Sequence, residues 1–139
     1  MKNYNDDELL KLAKEVVETA EQSAKENPTS DQIQVVIIEP SKKPYKKTIA
    51  NELSAFNDIV DGYIENVFIG EKKNKKFGIV VNEEGKLREL PVNRIIVGYD
   101  VLVGSMFITA YNYEGDNVSL TDAEADRFIR LFTPVEVYL

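Results

Sequence analysis

The spacing of the apolar residues changes at Ile33 from a helical period to the pattern of a β-strand. Before that point, apolar side chains recur three and four residues apart, which predicts an amphipathic helix from about Asp6 to Glu26. They are Leu9, Leu10, Ala13, Val16, Val17, Ala20 and Ala24. Asn5 and Glu8 stand at capping-box spacing at its start. From Ile33 to Ile38 the residues are mainly β-branched and apolar, as in a strand buried on both faces. The chain therefore combines a helix with a sheet.

The residues after Ile38 predict short strands and two further helices. A second helix is predicted near 51–60, ended by Asp61-Gly62, and a third over 121–132, where Thr121 and Glu124 form another capping box. The predicted strands are 63–69, 77–82, 86–90 and 101–111, with 135–139 as an edge strand and Pro91 to Arg94 interrupting the ladder. Gly104, inside the long strand, indicates a bulge or a close backbone approach.

The order of these elements lacks the regular strand and helix alternation of a parallel sheet and shows no internal repeat. We therefore predict an α+β fold: a mainly antiparallel sheet of about 5–6 strands packed by two helices, with an additional N-terminal amphipathic helix. The chain has 139 residues, enough for one core. Because Asn27-Pro28-Thr29-Ser30 punctuates the chain, we expect a helix with a short linker over 1–32 and an α+β domain over 33–139.

Two residue types that carry much of enzyme chemistry are absent, since the chain has no histidine and no cysteine. The commonest general base, the commonest zinc ligands and the thiolate nucleophile are therefore missing. We expect no catalytic residue, no metal site and no cofactor, and hence a protein that is not an enzyme. Metal-assisted carboxylate chemistry is the enzymatic alternative that remains.

The apolar runs of the sequence are short. The longest, such as 35–38 and 101–103, fall far below the roughly 20 residues of a membrane-spanning helix. The N-terminal segment has one lysine and then turns acidic, unlike a secretory signal. Together with the absence of cysteine, these features predict a cytoplasmic protein that does not enter the membrane. A net charge of −7 opposes nonspecific attraction to nucleic acid.

The N-terminal helix has a narrow, alanine-rich apolar stripe and charged residues on its other faces. One interpretation, which we favour, is that the stripe packs on the chain's own domain. The other is that the helix is an arm that binds a partner protein or forms a homodimer.

Eight lysines lie in two short stretches of this acidic chain. They are Lys42, Lys43, Lys46 and Lys47 in the first stretch and Lys72, Lys73, Lys75 and Lys76 in the second. If the stretches meet in space, they form a basic surface for a phosphate backbone or an acidic partner. The alternative is that both are solvated loops, in which lysine is a common residue.

Asn93 and Arg94 are the other candidate binding residues. Asparagine can bond to backbone, and the planar guanidinium offers a fork to carboxylate or phosphate. A structural role, in which Arg94 pairs with Glu84 or Glu89, is the competing interpretation. The adjacent carboxylates of Asn82-Glu83-Glu84-Gly85 are assigned to a hairpin turn rather than to a metal site.

A series of landmarks follows in order between Ile33 and Phe132. They are Glu39-Pro40, Lys43-Pro44-Tyr45, Val60-Asp61-Gly62-Tyr63-Ile64-Glu65, Asn82-Glu83-Glu84-Gly85-Lys86-Leu87, Leu90-Pro91-Val92-Asn93-Arg94, Gly104 and Ser119-Leu120-Thr121-Asp122-Ala123-Glu124. In their order and spacing they resemble DUF3846, a domain of unknown function of bacteria, their phages and their plasmids. Residues 1–32 and the lysine-rich segment 71–76 depart from that pattern. The resemblance implies a setting in mobile DNA and no established chemistry.

From these features we expect a non-catalytic binding or regulatory protein of a bacterial mobile element, which acts on a host factor and inhibits it. Its partner would be a host or mobile-element protein, and a homodimer through the N-terminal helix is a further possibility. The alternative function is nucleic-acid or nucleotide-phosphate binding through the lysine-rich stretches. A metal-assisted carboxylate enzyme is the third.

Overall fold

Helices and strands follow one another irregularly along residues 3–139, the part of the chain that the computed structural model describes. In chain order they are α1 (Asp6–Glu26), β1 (Gln32–Ile38), β2 (Tyr45–Ala50), α2 (Leu53–Val60), β3 (Ile64–Lys72), β4 (Lys75–Asn82), β5 (Val92–Ile96), β6 (Asp100–Val103), β7 (Met106–Tyr111), β8 (Asn117–Val118), α3 (Asp122–Phe132) and β9 (Glu136–Val137). The predicted α+β class is confirmed, and so are the three predicted helices.

β1 lies inside a six-stranded antiparallel sheet, in which the strand order is β2-β1-β7-β4-β3 and β8 pairs with β7. The side chains of β1 enter two cores on opposite faces of this sheet. Ile33 and the residues that alternate with it share a core with Phe56 of α2. Val36 and Ile38 share the other core with Phe132 of α3. Burial on both faces accounts for the continuous apolar run of this strand.

A smaller sheet joins β6, β5 and β9, in which β5 is antiparallel to β6 and parallel to β9. The prediction of one strand over 101–111 is wrong, because the chain leaves this sheet after Val103 and enters the larger sheet at Met106. Gly104 lies between them with a φ of 76°, and a Cβ there would stand 2.8 Å from Leu90 Cδ1. The expected close approach at Gly104 is confirmed, and only glycine fits the position without strain.

The region before β5 also differs from the prediction. Residues 86–90 form turns rather than a strand, held by bonds such as that from the Arg88 amide to the Glu84 carbonyl at 2.9 Å. Pro91 does not interrupt a ladder, because β5 begins directly after it and its carbonyl accepts from the Gly104 amide at 2.8 Å. A proline at the entrance of a strand removes no ladder bond.

The edge strand β2 was not predicted, since residues 45–50 carry lysines and a threonine that resemble a loop. β2 pairs only with β1 and forms one edge of the larger sheet, where exposed lysines are common. The edge strand expected over 135–139 is present, shortened to the two residues of β9.

The helix ends follow the sequence closely. Both predicted capping boxes are present, with the Asn5 side chain accepting from the Glu8 amide at 2.8 Å and the Thr121 hydroxyl accepting from the Glu124 amide at 3.1 Å. At the end of α2, however, Asp61 takes the left-handed conformation, with φ 58° and ψ 49°. Aspartate tolerates this conformation better than most residues with a side chain.

Arg94 is 2% exposed, and its guanidinium bonds to carbonyl oxygens of separate segments. Nε donates to the Phe132 carbonyl at 2.6 Å, at the C-terminal end of α3, and Nη2 donates to the Lys42 carbonyl at 2.8 Å. The helix dipole makes the end of α3 a favourable place for a positive charge. Burial lowers the pKa of Arg94, although arginine stays charged at ordinary pH. The predicted pairing with Glu84 or Glu89 is wrong, because backbone carbonyls take the place of an acid.

Asn93 completes this buried network. Its side-chain Nδ2 donates to the carbonyls of Ile38 at 2.8 Å and Gly104 at 2.7 Å, while its Oδ1 and its own carbonyl each accept from Arg94 Nη1 at 2.9 Å. These bonds connect β5 to the end of β1 and to the start of β7. Asn93 and Arg94 thus join the two sheets.

Replacing Arg94 by lysine is expected to lower the free energy of unfolding by about 3 kcal/mol, because one ammonium group cannot reach all the buried carbonyls that the guanidinium pairs. Urea unfolding followed by circular dichroism measures the change. Arg88→Lys is the matched control: Arg88 is part-exposed and pairs with Asp61 at 3.1 Å, so its replacement should cost less than about 1 kcal/mol. An equal loss in both variants would contradict the central role of Arg94.

Candidate functional site

α1 is attached to the rest of the protein at its last turn, through hydrogen bonds. The Ser23 hydroxyl donates to the Asn74 carbonyl at 2.6 Å and accepts from the Tyr113 amide at 2.9 Å. The Asn27 side chain donates to the same Asn74 carbonyl at 2.8 Å, and the Asn112 side chain donates to the Asn27 carbonyl at 3.1 Å. Ser23 is the buried residue of the helix. The turn between β3 and β4 and the loop after β7 therefore hold the C-terminal end of α1.

The remainder of α1 leaves its apolar stripe uncovered. The helix has 21 residues, about 31 Å in length, and its aliphatic side chains are between 37% and 70% exposed. These side chains are Leu9, Leu10, Leu12, Val16 and Val17. The favoured interpretation, that the stripe packs on the chain's own domain, is wrong for these residues. The alternative, an arm for a partner or a second copy, stays a prediction.

A shallow groove runs beside this stripe, between α1 and the loop after β7. It encloses about 450 Å³ and is lined by Leu12, Glu15, Val16, Thr19, Ala20, Lys76 and Tyr113. Lys76 Nζ lies 5.1 Å from the centre of the Tyr113 ring, a cation–π contact. Burial, and then the hydrogen bond that the Tyr113 hydroxyl donates to Glu71 at 3.1 Å, raise the pKa of Tyr113. The groove thus has an apolar wall from the helix and an aromatic wall from the body.

The two lysine-rich stretches lie at opposite ends of the larger sheet. The connection from β1 to β2 follows Ile38, which pairs with Met106 at the start of β7. The turn from β3 to β4 precedes Lys76, which pairs with Tyr111 at the end of β7. The six residues of β7 span about 17 Å between these ends. The two connections are therefore far apart, whereas Lys46 and Lys72 both reach carboxylates near the start of α3, at Asp126 and Glu124.

Lysines within the first stretch point in different directions. Lys46 and Lys47 are neighbours on β2 and so lie on opposite faces of the sheet. Lys46 Nζ lies 2.8 Å from Asp126 Oδ1 of α3, and this hydrogen bond raises the pKa of Lys46. Lys47 instead lines a groove beside α2. Lys43 and Lys73 are exposed in the connecting segments.

Glu39 holds the connection between β1 and β2. Its carboxylate accepts from the Tyr45 hydroxyl at 2.8 Å and lies 3.0 Å from Lys42 Nζ. The hydrogen bond from Tyr45, and then that from Lys42, lower the pKa of Glu39. Lys42 is thus already paired within its own connection.

Glu124 and Lys75 form a buried ion pair at the start of α3, where Glu124 is 8% and Lys75 is 5% exposed. Lys75 Nζ lies 2.7 Å from Glu124 Oε1 and donates to the Ser119 carbonyl at 2.9 Å, and Lys72 Nζ lies 2.7 Å from Glu124 Oε2. Burial by itself raises the pKa of Glu124. The bonds from Lys72 and Lys75, together with that from the Thr121 amide, outweigh burial and hold this pKa at about 2. Two of the eight candidate lysines therefore fix α3 on the sheet.

Replacing Glu124 by glutamine is expected to lower the free energy of unfolding by about 3 kcal/mol near neutral pH, because a buried ammonium loses its counter-charge. The pKa of Glu124 is about 2 in the folded protein against an ordinary 4.5, so its contribution is complete above about pH 4.5 and is lost as the pH falls towards 2. Unfolding in urea across this range should show that fall in the native protein and a flatter profile in E124Q. D126N, which removes an exposed partner of Lys46, is the control and should cost less than about 1 kcal/mol; equal losses would contradict this role of Glu124.

Asn93 and Arg94 are placed in the core, where both side chains bond within the protein. Their predicted binding role stays a prediction, as does that of the exposed lysines. Within residues 3–139, no group of three or more acidic side chains is arranged to hold a metal ion. In the same range, no helix is both long and apolar enough to cross a membrane.

One of these placements had a signal in the sequence. Lys75 alternates with Phe77, Ile79 and Val81 along β4, so a strict period of two places it on the buried face. Extending the predicted strand by two residues would have shown a lysine in need of a buried acid. The exposure of the α1 stripe had no such signal, because an apolar stripe looks the same whether or not the domain covers it.

Residues 33–133 match a family model described as a domain of unknown function, DUF3846. The matched range starts in β1, ends just after α3 and leaves out α1. A search of curated proteins finds no match, and neither does a search of solved structures. Since the match covers well over half of the chain, the chain belongs to the DUF3846 family, whose function is unknown.

Proposed function

We propose that the protein is a non-catalytic binding or regulatory protein of a bacterial mobile element, and that it works by docking α1 on a host protein and inhibiting it. The observation that carries the proposal is the uncovered apolar stripe of α1. Full burial of a leucine or valine side chain contributes about 1.5–3 kcal/mol. A partner that covers even part of the stripe therefore forms a complex that is stabilised by this burial.

The spacing of the apolar residues in α1 is the one that helices use to bind a partner. Leu9, Leu10, Ala13, Val16 and Val17 recur at the spacing by which amphipathic helices anchor in apolar grooves. The polar clamp at Ser23 and Asn27 fixes the end of α1 while the stripe stays accessible. A rigid helix loses less conformational entropy on binding than a segment that must first fold.

The polar residues of the family landmarks support a role without catalysis. Glu39 bonds to Tyr45, Asn82 donates to the carbonyls at the end of α2, Asn93 and Arg94 join the sheets, and Glu124 fixes α3. Each of these side chains is engaged in holding the fold. These landmark residues thus support the architecture, which favours a recognition surface elsewhere on the chain.

Phosphate binding through the lysines receives less support. Lys46, Lys72 and Lys75 have carboxylate partners in α3, and the two stretches are separated by the length of β7. A phosphate backbone would have to compete with these carboxylates. The protein-binding function is therefore the one that we put forward.

The double variant Leu10→Glu and Val17→Glu tests the proposal, because it places two charges within the stripe. Pulldowns from a bacterial host lysate should recover a partner with the native chain and lose at least about 100-fold of the binding with the variant. Leu87→Glu is the matched control, since Leu87 is 86% exposed on a turn remote in sequence and the same chemical change there should leave binding unaltered.

Circular dichroism and urea unfolding establish that the double variant keeps its helix content and stability. Both altered residues are more than half exposed, so we expect the free energy of unfolding to change by less than about 1 kcal/mol. Partner capture that is equally strong with the native chain and the folded double variant would overturn the assignment of α1 as the binding element.

A further inference from the structure

We infer that the partner surface on α1 is an amphipathic helix whose apolar face is bordered by lysine or arginine. This inference rests on the proposed function and names the chemistry of the partner. It follows from three features: the narrowness of the α1 stripe, the sign of the charges beside that stripe, and the net charge of the whole chain.

The stripe fits another helix in width and length. Ala13 lies between Leu9 and Val16, and Ala20 follows Val17, so small side chains alternate with large ones along about three turns. Small residues let two helix axes approach towards the short end of the usual spacing of about 8–10 Å. The groove beside Tyr113 gives a second wall for the partner's side chains.

The charges that border the stripe are mainly negative. Glu15 stands one turn after Leu12 on one side, and Glu21 stands one turn after Val17 on the other. The charges beside the stripe on α1 are Glu8, Glu15 and Glu21, together with Lys14, and Asp6 stands at its N-terminal end. The facing wall contributes one positive charge, that of Lys76, and its ammonium group lies over the Tyr113 ring. A partner helix with basic margins therefore meets complementary charge along most of the stripe.

A second copy of the chain meets the opposite situation. Residues Asp6–Glu26 contain seven acidic residues and three lysines, a net charge of −4, and the whole chain carries −7. Two copies of α1 laid together would place like charges side by side, which opposes association. A lipid surface is disfavoured for the same reason, because helices that lie on membranes carry lysine and arginine opposite their apolar face.

The probe is a labelled peptide of about 18 leucine and lysine residues arranged as an amphipathic helix, titrated with the full chain and followed by fluorescence anisotropy. A second peptide carries glutamate in place of lysine, and a third has the leucine and lysine residues scrambled so that no apolar face forms. The amphipathic basic peptide should bind at least about tenfold more tightly than either of the others. Equal binding of the scrambled peptide would show charge attraction alone and overturn the inference.

Two pairs of charge-reversal substitutions distinguish the effect of the charges beside the stripe from the effect of the chain's overall charge. Glu15→Lys with Glu21→Lys reverses charge beside the stripe, whereas Glu18→Lys with Glu84→Lys makes the same change in charge on the far side of α1 and on an exposed turn of the body. The first pair should weaken the basic peptide about tenfold, and the second less than about threefold, because exposed charges on the far side are screened by solvent and salt. Equal weakening by both pairs would contradict a bordered stripe.

The remaining outcomes distinguish this inference from the proposed function. Suppose that L10E with V17E abolishes binding of both peptides and that the glutamate peptide binds the native chain as well as the lysine peptide does. The stripe is then a binding element, and its partner is not basic. Sedimentation velocity that shows a dimer of the native chain, lost in L10E with V17E, assigns the stripe to a second copy and overturns the inference. Co-sedimentation of the native chain with anionic phospholipid vesicles, lost in the same variant, would overturn it in favour of a lipid surface.

Discussion

The guanidinium group of Arg94 holds together segments that are far apart in the sequence. It pairs with carbonyls at the end of α3 and in the connection from β1 to β2, and Asn93 carries the network on to β1 and to Gly104. A charge this deeply buried is tolerated only where its donors are paired. The smaller sheet, α3 and the β1–β2 connection therefore have to assemble around one side chain.

The sequence predicts the elements of this fold better than their connections. Helical spacing and capping boxes place α1 and α3 closely, and the β-branched run identifies β1 as a strand buried on both faces. The long strand over 101–111 is divided between two sheets because alternation continues on both sides of Gly104. Local pattern records which residues are buried and does not record the sheet that buries them. The edge strand β2 was not predicted for a related reason: edge strands need little apolar surface, so its lysines and threonine resemble a loop.

The sequence identified the residues of the candidate surfaces but not how those residues are arranged in space. The lysine stretches were visible in the sequence, but whether they meet depends on strand order and register, which place their connections at opposite ends of β7. Arg94 was singled out, and its partners proved to be carbonyls contributed by residues as distant as Phe132. The stripe of α1 was predicted correctly as a pattern. Its exposure depends on where the polar clamp at Ser23 directs the helix.

The position of the hydrogen bonds that attach α1 has a consequence for how the protein can change. These bonds lie at the last turn of the helix, whereas the aliphatic side chains from Leu9 to Val17 stay exposed. Substitutions along the exposed length of α1 can therefore change this surface without disturbing the two sheets. The family match begins after α1 and covers the body. A single scaffold can in this way carry N-terminal helices of different sequence, so that the fold and the exposed helix are subject to separate selection.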